Sequence, residues 1–416
     1  MKHMKTAVTS LSLVVLSASG AWASGYQLNQ YSTTGLGRAF AGVGVVGDDF
    51  SAIAFNPAGM TLKGSGFQLG ATTIQQRANV RGSVDSLGLP PDPVGPYGRM
   101  RVYPTLPHGF AQYKVNENVY LGIGVFNSFG LGTSYNADWF GRWHGTSSSL
   151  KVVDIAPAAA IKVNDQLSLG ASVIARYVHG DLKNELIVPG SVNRMDLDGW
   201  EWAYNFGVMI EPIKGTRLGA AYQMNTAQTV TGVHSIRGTG GFLAPDVVDG
   251  SWRGTSTMKL PDIFTLSAHQ KIGDKFGLSG SARWTKWNVF DYFILRSDRD
   301  PNPIIIDELW KNTWTFIMGL DYYHSPAWTF RTGLGYDPTP IRSPEYRTAR
   351  IPDSRRIWTS IGASYKLNNF TVDMGFAHLF MRKASLYNLD DMTNSRIDAR
   401  TSSFSNMFSL ALQYDF

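Results

Sequence analysis

Near the N-terminus, Gly42-Val43-Gly44-Val45-Val46-Gly47 spells G-x-G-x-x-G and is followed at once by Asp48 and Asp49. Such a loop cradles a pyrophosphate when a strand precedes it, a helix follows, and an acid about 20 residues on holds a ribose. Position 67 is Phe, the segment follows an export-type leader, and no dinucleotide pool exists outside the cytoplasm, so the nucleotide reading is set aside. The eight histidines form no H-E-x-x-H, and no G-x-S-x-G nucleophile elbow occurs. A hydrolase assembled from separated Ser, His and Asp stays open by spacing alone. Its raw material would be His144, His234 and Ser147–Ser149, although polar residues in long connections are ordinarily just solvated. Four basic residues, Arg176, Arg283, Lys311 and Arg331, fall on the polar side of alternating segments. They either join a structural network with Asp321, Asp373 or Glu201, or grip an anionic head group through charge-assisted hydrogen bonds. Lys311 leads that second reading because it sits at a strand end.

The elements that must position these residues follow from composition and period. Residues 1–23 have a basic start at Lys2, His3 and Lys5, a short apolar run Ala7–Ala18, and Ala21-Trp22-Ala23 as a cleavage site. This is a secretory signal peptide, with the mature chain starting at Ser24. There is no cysteine, so neither disulfides nor thiolate metal sites are available. The charge of +6 is scattered and leaves no basic stripe for nucleic acid. Forty-three glycines, 12 Trp, 18 Tyr and 22 Phe accompany a mean hydropathy of only −0.13, and no later run is long enough for a transmembrane helix. An exported, aromatic-rich chain of that kind fits a membrane β-barrel, in which alternation hides half of each strand.

Phe408, Leu410, Leu412, Tyr414 and Phe416 share one face, with Ser409, Ala411, Gln413 and Asp415 on the other. The same period recurs in Trp314–Tyr322, Trp328–Tyr336, Trp202–Ile210 and Leu169–Tyr177. Short polar turns at Asn116–Asn118, Asn164–Gln166, Lys214–Thr216, Gly273–Lys275, His324–Pro326 and Asn368-Asn369 alternate with long connections near 78–105, 136–149, 180–200, 232–255, 295–312, 337–355 and 382–403. Short periplasmic turns and long extracellular loops predict an all-β fold, a 14-stranded antiparallel transmembrane β-barrel over 66–416 in the bacterial outer membrane. A large soluble β-sandwich is the alternative, but it leaves so many polar inner faces unexplained. Residues 24–65 carry Phe40, Val43, Val45, Val46, Phe50, Ile53 and Phe55, too apolar for a solvated tail, and predict an N-terminal hatch inside the lumen. Two connections have greasy tips, Leu186–Pro189 and Phe242-Leu243-Ala244-Pro245. These offer a landing surface for a hydrophobic solute or pack against each other.

SGYQLNQYSTTGLGRAFAG, the Asp48-Asp49 pair and Asn56-Pro57-Ala58 closely resemble the hatch of the FadL family, outer-membrane transporters of long-chain fatty acids and other hydrophobic compounds. Asn127–Tyr135 is similar to the family's third strand, Ala327–Asp337 with Pro340 to a later hairpin, and Arg350–Asp353, Arg356 and Trp358 also match. The resemblance implies a monomer that takes ligand from a groove between extracellular loops to a tighter site near the hatch. It then releases the ligand sideways into the bilayer at a kink around Phe129-Gly130-Leu131. Uptake would be passive, without cofactor, metal or catalytic residue, and the partners would be long-chain fatty acid or another hydrophobic small molecule, with outer-membrane lipid and lipopolysaccharide around the barrel. Trp310-Lys311-Asn312 matches the family's aromatic-lysine segment, so Lys311 inherits a carboxylate contact. The family's basic partner falls near His179, whereas alternation favours Arg176. Aromatic or aliphatic hydrocarbons are the alternative cargo; a lipid-acting barrel enzyme and a surface adhesin or phage receptor are readings from other classes.

Overall fold

Alternation with period two can satisfy every backbone hydrogen bond in a bilayer only if the sheet closes on itself, and in the computed structural model it does. The structure describes residues 25–86, 96–186, 188–240, 249–390 and 394–416; the signal peptide expected over residues 1–23 lies outside them. Fourteen antiparallel strands run around the barrel. Named in chain order, they are β1 (Gly66–Ser86), β2 (Tyr97–Val102 and Thr105–Lys114), β3 (Val119–Phe126 and Gly130–Ser134), β4 (Ser147–Lys162) and β5 (Leu167–Asn184). There follow β6 (Val192–Ile213), β7 (Thr216–Asn225 and Ala227–Arg237), β8 (Gly250–Lys259 and Ile263–Ile272), β9 (Phe276–Thr285 and Tyr292–Ser297) and β10 (Asp300–Asp307 and Thr313–Tyr323). The last four are β11 (Trp328–Asp337), β12 (Arg356–Leu367), β13 (Phe370–Met381 and Ala384–Asp390) and β14 (Ser395–Asp415). β1 pairs with β14 from Gly66↔Asp415 to Ser86↔Ser395, which closes the ring.

The alternating pattern sorts as it must. Phe408, Leu410 and Leu412 of β14 are exposed to the lipid side, while Ser409, Ala411 and Gln413 are buried within. Several strands continue past the hydrocarbon region on the extracellular side. Gly180–Asn184, Val192–Trp200 and Ala384–Asp390 are strand where the sequence reads as polar connection.

The interior is filled by residues 25–65, which contain only short helical turns, α1 (Thr33–Gly37) and α2 (Ala52–Phe55), and the 3-10 turn Pro57–Leu62. Ser32 caps α1, its Oγ accepting from the Gly35 amide and donating to Asp49 Oδ2 at 2.5 Å. A coil inside a barrel must find partners for its backbone, and the inner wall supplies them. Gln112 Nε2 donates to Met60 O and Lys63 O, Asn205 Nδ2 to Ala54 O, and Gln413 Nε2 to Asp48 O.

Candidate functional site

The G-x-G-x-x-G stretch is part of this plug. Gly42, Gly44 and Gly47 have φ of +68°, +77° and +78°, the left-handed region that side chains resist. Asp48 after it accepts from Arg38 Nη1 at 2.6 Å and from Arg331 Nη2 of β11 at 3.0 Å. Asp321 of β10 pairs with the same two arginines at 3.0 and 3.3 Å, giving a balanced quartet between hatch and wall. Asp49 instead accepts from Ser32, Thr34 and Ser51 and holds the hatch together. In Asn56-Pro57-Ala58, Asn56 Oδ1 accepts from the Ala58 amide and Nδ2 donates to Val208 O on β6. Gly207 leaves the space for this turn, since a Cβ there would stand 2.0 Å from Asn56 Oδ1.

Above the hatch lies a cavity of about 450 Å³. Its walls are mostly apolar, including Leu150, Val178, Met195, Leu197 and Leu295, with polar and charged residues among them, and Tyr26 of the hatch lines it. Two neighbouring strands break at the same level to make a seat for Tyr26. β9 is interrupted by the turn Trp287–Val289, and β10 between Asp307 and Thr313. Tyr26 enters the resulting box of Trp287, Phe290 and Trp310, with ring centroids 4.8, 5.4 and 5.7 Å away. Edge-on geometries of this kind add to burial. Glu308, within the β10 break, lines the cavity and accepts from Trp310 Nε1 at 2.8 Å.

Tyr26 also lies 6.1 Å from Phe129, where β3 breaks between Phe126 and Gly130. The lower half of β3 pairs with β2 from Lys114↔Tyr120 to Gly109↔Val125. Beyond Val125, among the described residues, the two strands meet again only at the isolated bridge Met100↔Tyr135. The backbone groups freed in β3 are taken by the hatch. Leu28 N donates to Ser128 O at 2.8 Å and Gly130 N to Tyr26 O at 2.9 Å. Below them Tyr31 of the hatch stacks on Phe55 and packs on Phe126, at 4.5 and 4.8 Å. The gap between β2 and β3 is thus backed by aromatic side chains rather than water.

Arg176 points inward as alternation predicts, but it belongs to a network. Nε donates to Asp154 Oδ1 at 2.5 Å, and Nη1 to Glu201 Oε1 at 2.7 Å and Asn225 Oδ1 at 2.6 Å. Nη2 donates to Ser128 Oγ at 3.0 Å, Ser128 in turn bonds Asp154, and the guanidinium lies 5.1 Å from the Phe129 ring. This arginine clamps the break in β3. His179 is on the outer side of β5, half-buried beside Asp196 at 3.6 Å, away from the cavity. Lys311 does not point inward: its side chain is exposed and only its amide is engaged, donating to Pro340 O. The reason is local. Lys311 and Asn312 are both exposed, so the alternation slips by one between Trp310 and Thr313, and Trp310 is buried where Lys311 was expected. Arg283 is buried and lies 5.9 Å from the Phe55 ring, below the cavity. Phe242 and Leu243 lie outside the described residues, and Leu186 is buried.

Of the residues considered for hydrolysis, Ser149 lines the cavity with its hydroxyl unpartnered, while both histidines are engaged with other side chains. His144 Nε2 meets Ser395 Oγ at 3.1 Å; His234 bonds Ser297 Oγ and Asn193 Oδ1 at 2.7 and 2.8 Å. Ser297 does not line the cavity, so this row presents no nucleophile to a ligand there. Sequence reasoning passed over Tyr26, Trp287, Glu308, Asp154 and Ser128. Only Tyr26 carried a signal, as an aromatic placed directly after the expected leader.

Residues 14–416 match the family described as outer membrane protein transport protein (OMPP1/FadL/TodX). Outer membrane protein P1 of Haemophilus influenzae is 28% identical, covering 97% of both chains. The long-chain fatty acid transport protein of Escherichia coli K12 is 26% identical over 90% of this chain and 92% of that one. The crystal structure of a Pseudomonas aeruginosa FadL homologue is 25% identical and superposes with a TM-score of 0.86, covering 94% of this chain and all of that one.

Proposed function

This chain belongs to the OMPP1/FadL/TodX family and is an outer membrane transporter of hydrophobic compounds, and from that premise we propose that its cargo is long-chain fatty acid, taken up passively and released sideways between β2 and β3. The observation that carries the reading is the placement of an apolar cavity of about 450 Å³ directly beside the break in β3. An extended acyl chain loses hydration in such a cavity at about 0.8 kcal/mol per CH₂. Leaving sideways spares it a return to water, because the gap between β2 and β3 faces the bilayer. The tilt toward fatty acid comes from the relatives of that printed function, which resemble this chain over nearly its full length. The protein works as a monomer among outer-membrane lipid and lipopolysaccharide, and it needs no catalytic step.

The test is growth of a transporter-null strain expressing this chain on oleate, against the same strain on an alkane or an aromatic carbon source. Growth on oleate alone is the expected result. Growth on the hydrocarbon alone makes neutral hydrocarbons the cargo.

A further inference from the structure

The fatty-acid reading leaves open what receives the carboxyl group, since neither Lys311 nor His179 reaches the cavity and Arg176 is consumed by its network. Two polar groups at the hatch end of the cavity are left for a ligand. Tyr26 is 2% exposed, and its hydroxyl is buried without a hydrogen-bond partner while its side chain lines the cavity. Glu308 is 3% exposed and lines the same space, with one oxygen engaged by Trp310 Nε1. The indole of Trp310 joins the two, standing 5.7 Å from the Tyr26 ring. An unpaired buried hydroxyl costs on the order of 1–3 kcal/mol, so an oxygen acceptor arriving there recovers that penalty.

We propose that Tyr26 and Glu308 form the head-group site: the ligand carboxyl docks against the Glu308 carboxyl through one shared proton, and Tyr26 donates a hydrogen bond to the ligand. The inference rests on fatty acid being the cargo. Glu308 sits in the β10 break, on the extracellular side of the spanning half Thr313–Tyr323. Burial raises its carboxyl from the ordinary range to about 8, against the hydrogen bond from Trp310 and the more distant Arg350. The ionisable groups around it are Tyr26 from the hatch, Asp307 beside it in β10, and Arg350 from the β11–β12 connection, with His144, His234, Glu345 and Arg396 lining the same cavity. Arg350 is directed at the wall, donating to Ser148 Oγ, Lys183 O and Asn184 Oδ1 at 3.1–3.2 Å.

The sign follows from proton counting. Below pH 8 the free protein already holds the proton that the complex shares, and a free carboxylic acid ionises near about pH 4 to 5, so binding between these limits neither takes up nor releases protons. Above pH 8 Glu308 must regain its proton to bind. The experiment is calorimetric titration of the full-length protein in detergent with decanoate from pH 6 to 9.5. Wild type should be flat to about pH 8 and then weaken, by about 30-fold at pH 9.5, at tenfold per pH unit. Glu308→Gln, whose amide donates at every pH, should bind decanoate with a flat profile throughout. Tyr26→Phe should bind more weakly and keep the pH dependence. A flat wild-type profile, as a cation holding Glu308 ionised would give, overturns the proposal, as does a Glu308→Gln profile that still falls. Absence of binding at any pH by decanoate and by oleate alike overturns the fatty-acid reading itself.

Discussion

Replacing Arg176 by Met separates two roles that the sequence alone could not tell apart. If Arg176 clamps the β3 break, its loss strands Asp154 and Glu201, which are 0% and 1% exposed, and frees Ser128 from its donor. Removing one partner of a buried, hydrogen-bonded ion pair costs roughly 3–5 kcal/mol, because the remaining charge stays buried. Most of that cost is the uncompensated charge and not the lost contact. Adding Asp154→Asn and Glu201→Gln to Arg176→Met should therefore recover at least half of it. Stability would be read by urea-dependent unfolding from lipid vesicles, and uptake of oleate and its neutral methyl ester would be normalised to folded protein. The expected outcome is a lower unfolding midpoint with both cargoes impaired alike. Unchanged stability with selective loss of oleate would refute the argument and make Arg176 the head-group cation.

Deleting Phe129 alone removes the one residue by which β3 outruns β4 between the pairs Phe126↔Asp154 and Gly130↔Lys151, which restores alternation and lets β3 run on as a continuous strand. Cargo would then have to break several ladder hydrogen bonds at about 1 kcal/mol each, so uptake should fall by tenfold or more while the barrel still folds; uptake at the wild-type rate points to an exit through the lumen. Gly207→Ala drives a methyl to within 2.0 Å of Asn56 Oδ1 and should cost about 2 kcal/mol through the lost Asn56–Val208 hydrogen bond and strain. In thermal melts it should lower the midpoint well below that of Gly180→Ala, where the nearest atom stands 4.0 Å from the new Cβ. Equal midpoints would mean that the hatch turn is not held against β6.

The barrel was legible because its physics is periodic. Phe408 to Leu412 declare two faces without any knowledge of neighbours, and an even count of such segments closes a ring. The extracellular strand extensions were not legible. Past the hydrocarbon region the outer face of Val192–Trp200 carries Arg194, Asp196 and Asp198 while Met195 and Leu197 line the cavity, so the polar-in pattern of the spanning strands inverts while the hydrogen-bonded ladder continues. The side of a residue is lost wherever the backbone skips a phase. One slip of phase, between Trp310 and Thr313, puts Lys311 out and Trp310 in, and no pattern of side-chain types announces such a break. The same break holds Glu308, which is why the cavity's acid was missed while a more conspicuous lysine was favoured.

Breaks that escape a sequence reading are also where the inner wall stops being inert. A broken strand in a membrane leaves backbone groups that lipid cannot satisfy, and a break persists only if something inside the barrel answers them. For β3 that something is the hatch segment Tyr26–Leu28, held by two backbone hydrogen bonds and by the Arg176 network beneath. For β9 and β10 the two breaks answer each other, Glu308 N and Leu309 N donating to Asp291 O and Trp310 N to Phe290 O, and the aromatic box so formed seats the same Tyr26. One three-residue segment therefore borders the cavity at its side chain and backs the β2–β3 gap at its backbone. On the lateral-exit reading, a ligand that engages the Tyr26 hydroxyl acts on a residue whose carbonyl helps hold the gap in place. Binding and release then share a single structural element, and Tyr26→Phe, which spares the backbone pairing, should weaken the first more than the second in paired binding and uptake measurements.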